Sequence, residues 1–383
     1  MATYPSTAPP APDTRTPWYV WCSVLAITSA IIGGQWDISW HSSIGRDTFW
    51  TPAHMAIYFC GVLAGVVCGY LILRDTFTRG GHTAVVHVLG FRGPLGAFIA
   101  AWGGIVMLTS APFDNWWHDA YGLDVKIVSP PHVALITGIF AVGMGALILT
   151  LGYMNRATGR QWKQLQWLFL YTGGMLIALL QVLLLEFNDR IHLHSSLPYR
   201  MMAILLPFVL AGVWRAANQK FAATIVTGVY TLLNIGLILI LPLFPAVPKL
   251  GPVYQAVTHF VPQQFPILLI VPAFCLDLLW QRTANLSKSI VAVVSGAIFV
   301  LALLAVEWPF ADFLMSPASR NAFFGTGYFG YFLPAQSHLA RGLFVTLEST
   351  PEFWANIGLA MIFAMASMRL GMAWGDWMRR VRR

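Results

Sequence analysis

The sequence predicts an all-α fold, a polytopic integral membrane bundle of about ten transmembrane helices. Three observations carry that expectation. Of the 383 residues, 57% are apolar and only 10% charged, whereas a soluble domain carries about 25% charge. Apolar runs of about 20 residues, the length that crosses the hydrocarbon of a bilayer, recur along nearly the whole chain. The basic residues lie in short turns between those runs, a topological pattern.

Residues 1–17 are rich in Pro, Ser, Thr and Ala with a single Arg15. They lack the basic start of a cleaved signal and predict a disordered tail. Ten spans follow, at residues 18–35, 53–73, 94–111, 132–154, 164–186, 198–214, 221–246, 262–280, 289–307 and 353–373. Alternate ends of these spans hold 16 basic residues on one side and 7 on the other. The positive-inside rule therefore makes the richer side, with both termini, cytoplasmic. A net charge of +8 could suggest nucleic acid, but no basic stripe interleaves with aromatics, so that partner is excluded. Cys22, Cys60, Cys68 and Cys275 all fall inside apolar runs without CxxC spacing. Neither a disulfide framework nor a thiolate metal site is expected.

The same topology sorts the histidines. His82 and His87 fall in a cytoplasmic turn, whereas His41, His54, His118, His132, His192, His194, His259 and His338 fall at outer ends of spans. Within that set lies an internal repeat. Asp37, His41 and Asp47 recur 77 residues later as Asp114, His118 and Asp124, and His54 recurs 78 later as His132. Two helix pairs thus share one pattern. Asp and His four apart lie on one helical face a turn apart, so both reach a single ion. Pro52, and Pro130 with Pro131, suit the first turn of a helix, so each third histidine stands on a helix start facing the end of the preceding helix. Imidazole with carboxylate suits copper, zinc or iron over calcium or magnesium. The alternative for each copy alone is a capping or hydrogen-bonded pair; the duplication and the cost of ionisable residues near hydrocarbon favour a metal. Asp47 and Asp124 either orient a ligand imidazole from behind or cap a turn.

The first copy, with Asp-x3-His-x12-His, Arg46-Asp47-Thr48 and Thr51-Pro52-x-His54, resembles the C subunit of the copper membrane monooxygenases, the family of particulate methane and ammonia monooxygenases. The second copy is similar to that family's later Asn-Glu-Trp-Gly-His and Ala-Pro-x-His stretch. The resemblance covers residues 20–155 and implies a metal-binding four-helix bundle over 18–155. It implies copper held by Asp37, His41 and His54, and a neighbouring or alternative site combining His54 with Asp114 and His118. His132 matches a further family histidine. Asp114 departs from the family's Asn; the added negative charge favours a harder or more oxidised ion, leaving zinc or iron open there. The implied activity is O2-dependent hydroxylation of a small apolar substrate or ammonia. The implied partners are a separate cupredoxin-like B-type subunit, a quinol or periplasmic electron donor and a trimeric assembly, in a bacterial-type inner membrane. A non-catalytic copper-binding, delivery or structural subunit is the alternative.

Residues 156–383 exceed a family C subunit and predict a second bundle of about six helices. Residues 221–280, including His259, Cys275 and Asp277, bear a fainter similarity to the family's membrane A subunit. Glu186, Asp189, His192 and His194 read as a solvated polar loop, with a further ligand cluster as the alternative. The aromatic, Gly-rich stretch within 311–343 reads as an interfacial belt, with a lid over the outer face as the alternative. Gly33, Gly34, Gly103 and Gly104 predict close helix approach. Trp36, Trp40, Trp50, Trp116 and Trp117 are expected either to keep water from a metal or to sit at the membrane interface.

Overall fold

The computed structural model describes residues 15–45, 47–78, 84–121, 129–188, 193–249, 256–283, 285–325 and 348–382. Its helices are α1 (Trp18–Ser43), α2 (Pro52–Phe77), α3 (Leu95–Tyr121), α4 (Pro130–Met154), α5 (Gly159–Leu183), the single turn α6 (Leu185–Asn188), α7 (Ser196–Ala217), α8 (Ala222–Ile240), α9 (Ile270–Trp280), α10 (Lys288–Met315) and α11 (Thr350–Met378). Among the described residues the strands are β1 (Val86–Val88) and β2 (Phe91–Gly93), a small antiparallel hairpin between α2 and α3. It occupies the turn predicted to hold His87. All-α architecture follows from the solvent: in hydrocarbon only a helix satisfies its own backbone polar groups. Nine described helices are long and apolar enough to cross a bilayer, and the chain is a multi-pass membrane protein.

The predicted span at 262–280 takes a different form. Residues 260–268 are irregular and α9 is only 11 residues long, yet the chain still travels from one end of the bundle to the other. Val261 donates its N–H to Ser43 Oγ (2.8 Å) and accepts from Ser39 Oγ (2.6 Å) at the end of α1. At the far end, the Asp277 carboxylate accepts from Thr224 N (2.7 Å), Thr224 Oγ1 (2.7 Å) and Ala223 N (3.3 Å) at the start of α8. An irregular backbone at membrane depth is tolerated where protein groups meet its needs. Here Ile267 N donates to Tyr230 Oη (3.2 Å), and Leu268 N donates to the fully buried Glu307 of α10. Among the described residues this segment joins the two ends of the bundle as half irregular chain and half helix.

Several helices outrun the predicted spans. α1 continues to Ser43 and α3 to Tyr121, beyond the expected ends at 35 and 111. The extra turns carry the Asp-x3-His motifs. α10 continues to Met315, past 307. The predicted tail is also shorter at its inner edge. Arg15 O accepts from Gln161 (2.9 Å), and Thr16 Oγ1 donates to Gln164 (3.0 Å), so the chain is docked on α5 before α1 begins. Residues 1–14 lie outside the described set, as do His82 and His338, and most of the 311–343 stretch.

Three of the four flagged glycines sit at helix crossings. A Cβ on Gly103 would meet Gly138 O and Val142 N at 2.7 Å, one on Gly104 would meet Gly61 O at 2.6 Å, and one on Gly33 would meet Ile57 at 2.9 Å. Gly34 faces open space. Gly103 and Gly138 therefore let α3 and α4 approach backbone to backbone. One continuous hydrophobic core runs from Tyr19 to Val381 through both halves of the chain. Among the described residues the cysteines are free thiols.

Candidate metal centre

The first constellation is assembled by a helix end, a tight return and a helix start. Asp37 and His41 occupy the last turns of α1. Gly45, at φ +103°, supplies a conformation that disfavours side chains and turns the chain back. Thr48 N then donates to Thr51 Oγ1 (2.8 Å), closing the loop before α2. Pro52 opens α2, which places His54 in its first turn. The return brings Asp47 back over the end of α1.

The resulting distances are short. His54 Nε2 lies 2.7 Å from Asp47 Oδ2 and 3.3 Å from Asp37 Oδ1. His41 Nε2 lies 3.5 Å from Asp47 Oδ2 and 3.7 Å from Asp37 Oδ2. Asp47 is therefore within the cluster, in direct contact with both imidazoles. Asp37, Asp47 and His54 each offer a donor atom, all within 4.8 Å of one another; His41, with 42% of its side chain exposed, stands at the rim. Burial alone would raise the Asp47 carboxyl, but hydrogen bonds from His41 and His54 outweigh it. They hold the group well below the usual carboxylate range.

The second constellation repeats this on α3 and α4. Asp114 and His118 lie in the last turns of α3, and Pro130 and Pro131 open α4 so that His132 stands in its first turn. Asp114 Oδ2 is 3.5 Å from His118 Nε2, and Asp114 Oδ1 is 3.5 Å from His132 Nε2. These three residues also offer donor atoms within 4.8 Å of one another. Asp124 lies outside the described residues.

The donor set fits a transition ion on two counts. Ligands held at about 2.0–2.1 Å around a tetrahedral ion lie roughly 3.3 Å apart, close to the separations in both clusters. Asp37 Oδ1 and Asp114 Oδ1 are buried and make no hydrogen bond, although an imidazole Nε2 stands 3.3 Å and 3.5 Å away. In both copies, then, the helix-end carboxylate keeps one buried oxygen unbonded beside an imidazole. All four histidines present Nε2.

The clusters share a cavity of about 320 Å³. His54 and Asp47 border it from one side and Asp114 and His118 from the other, with Phe49, Tyr58 and Asp119 among the other lining residues. Phe49 and Tyr58 pack against each other with ring centroids 5.2 Å apart. Sequence reasoning missed these three residues. Asp119 was visible as an acid one residue after His118; Phe49 and Tyr58 carried no local signal. Four of the tryptophans expected either to keep water from a metal or to sit at the membrane interface divide between two settings. Trp50 is 74% exposed and Trp116 54% exposed, facing away from the protein, as an interfacial position requires. Trp36 and Trp40 instead pack into a small apolar cluster with Leu237, Leu241 and Phe260.

Among the described residues, His194 and His259 join neither cluster. His194 is buried, not solvated as the loop reading expected. Its Nε2 lies 3.0 Å from Asp312 Oδ1 and its ring meets Trp308 edge-on. Glu186 lies on α6, while Asp189 and His192 lie outside the described residues. His259 is exposed and bonded to Thr258 Oγ1 (2.9 Å).

Comparison with protein-family models, with curated proteins and with solved structures found no match.

Proposed function

We propose that this protein binds copper at two Asp/His sites that share one cavity near the outer membrane face, and that the bound metal supports O2-dependent hydroxylation of a small apolar molecule or ammonia. The observation that carries the reading is the duplicated convergence of carboxylate and imidazole, with Asp37 Oδ1 and Asp114 Oδ1 buried and unbonded in both copies. Sequence resemblance to the C subunit of copper membrane monooxygenases supports the choice of metal and reaction. Asp114, where that family carries Asn, leaves zinc or iron open for the second site.

Asp37, His54 and His41 would hold the first ion, with Asp47 either a fourth donor or the group that holds both imidazoles in place. Asp114, His118 and His132 would hold the second. Copper when bound supplies the capacity to activate O2 after reduction. The chain fixes donor geometry on rigid helix termini, which hold ligands more precisely than loops do. Phe49 and Tyr58 give the shared cavity an apolar wall on which a small apolar substrate can rest. The bilayer concentrates such a substrate at the helix surfaces. Electrons come from a quinol or a periplasmic donor, and a cupredoxin-like subunit and a trimeric assembly belong to the same reading. The basic turns support placing the opposite end of the bundle in the cytoplasm of a bacterial-type cell.

A copper-binding or delivery role without turnover is the second reading. The exposed rim position of His41 favours it, since a solvent-facing ligand eases metal exchange. Elemental analysis with X-ray absorption on protein purified without chelators tests metal binding; about two copper ions per chain with N/O and no sulfur scattering is expected. Oxygen uptake with methane, short alkanes, alkenes or ammonia plus a reductant separates the two readings. Protein that takes up neither copper, zinc nor iron leaves the clusters as polar bracing and sinks both.

A further inference from the structure

At the other end of the bundle, where α7, α9, α10 and α11 meet, a larger cavity of about 480 Å³ opens. Arg215 of α7, Lys220 of the following turn, Lys288 at the start of α10 and Arg379 at the end of α11 line it, with Trp214 and Trp280. Four positive groups share one carboxylate. Asp376 takes Arg215 through Oδ1 (2.6 Å) and Lys288 through Oδ2 (2.6 Å). Three positive charges are left in excess around one concavity. Arg379 spends its Nε–H on the Arg215 carbonyl. Burial and the nearby Arg215 hold its guanidinium below its ordinary value, an electrostatic load that an anion relieves.

The cavity is built on aromatic packing. Trp214 and Trp280 stack with centroids 4.2 Å apart and planes 19° apart. Trp280 Nε1 donates to Ser295 Oγ (2.8 Å), and the Arg215 guanidinium lies 5.5 Å over the Trp214 ring. Turn residues that only obey the topology rule need no such cradle; they point into water singly. Leu286 and Val291 line the cavity, and Ile290 and Val294, one turn apart on α10 and flanking Val291 in sequence, are exposed. A cationic pocket beside exposed apolar helix residues matches an amphiphile whose head is anionic and whose tails lie in the bilayer.

We propose that this cavity binds a phosphate group, and that its source is the headgroup of an anionic phospholipid. Arg379 and Lys220 contact the phosphate at the mouth. Lys288 and Arg215, already held by Asp376, set its position. The site is independent of the metal clusters at the other end.

The test uses the full chain in nanodiscs of phosphatidylglycerol or of phosphatidylcholine. The expected result is a melting temperature several degrees higher in phosphatidylglycerol, with one or two phosphatidylglycerol adducts retained in native mass spectrometry. Lys220→Gln, which removes an exposed turn residue, reduces the difference, and Lys220→Gln with Arg379→Gln abolishes it. Metal content stays that of the parent in both variants, and Lys220→Gln melts in phosphatidylcholine as the parent does, which separates lost binding from lost folding. Millimolar inorganic phosphate added to phosphatidylcholine discs tests the source. Full stabilisation by phosphate without lipid adducts overturns the lipid assignment. Equal melting and equal adducts in both lipids, or adducts undiminished in the double variant, overturn the site itself.

Discussion

His54 Nε2 stands 2.7 Å from Asp47 Oδ2 and 3.3 Å from Asp37 Oδ1. One imidazole on the first turn of α2 thus joins a carboxylate from the end of α1 to one from the loop between them. Asp47 is more than a turn cap, since its contacts are the two imidazoles. His54→Ala and Asp37→Ala are each expected to remove the metal of the first site while leaving the second loaded. Copper per chain measured by plasma mass spectrometry falls by about one in each variant; retention of the parent value in both refutes the ligand assignment. Asp47→Asn keeps the shape but halves the nearby negative charge, and is expected to weaken copper affinity about 10- to 100-fold without abolishing the site.

The second site has its own test. His118→Ala is expected to lose about one metal ion per chain, and the double variant His118→Ala with His54→Ala about two. If one substitution empties both sites, the clusters act as a single dinuclear centre across the shared cavity, which contradicts two independent sites. Asp114→Asn restores the amide carried by the family this region resembles, and shifts metal preference at that site toward copper over zinc or iron.

Metal retention depends on pH in a fixed direction. Ligands must be deprotonated, so protons compete with the ion. Histidine titrates near 6.5 and carboxylates near 4 in the ordinary case. Copper affinity is therefore expected to fall as pH drops. In the metal-free protein, Asp47 works the other way: its carboxyl is held low, so its contribution is present above the unfolded value near 4 and is lost only as pH falls through the lower folded value. Acidification to about pH 5 should therefore release metal while the bundle stays folded. Metal release and loss of helical circular dichroism at one common midpoint contradict this order.

The α3–α4 crossing sets where His132 meets Asp114. A Cβ on Gly103 would press on Gly138 O and Val142 N at 2.7 Å, backbone that cannot step aside. Gly103→Val is expected to destabilise by about 1–3 kcal/mol and to lower metal at the second site while sparing the first. Thermal melting in detergent paired with metal content checks it; equal losses at both sites argue against a local effect.

Glu307 holds the irregular half of the segment that ends in α9 by accepting the Leu268 N–H. Removing the acceptor leaves a buried donor unpaired, at a cost of about 1–3 kcal/mol. Glu307→Ala is expected to lower the melting temperature and to increase proteolysis between α8 and α9. Glu307→Gln, which keeps a carbonyl oxygen, recovers most of the loss. A fully stable, protease-resistant Glu307→Ala variant would remove this account of the broken span.

Sequence alone determined the solvent, the helical class and the residues of the two clusters. Apolar run length and i, i+4 spacing are local properties, and lipid leaves a backbone little choice but to coil. The helix-start prolines fixed His54 and His132 by the same local logic. Tertiary structure decided the rest. Local pattern could not tell that residues 260–268 stay irregular, because Ser39, Ser43, Tyr230 and Glu307, all distant in sequence, supply bonds a helix would have made for itself. Nor could it place Asp47 against two imidazoles, set Phe49 and Tyr58 along the cavity wall, or gather residues from 214 to 379 around the basic pocket. Each of those depends on which helix ends come together; around the metal clusters close approach at Gly33, Gly103, Gly104 and Gly138 contributes to that, and around the basic pocket close approach at Gly212 and Gly375, where the absence of a side chain lets the helices meet.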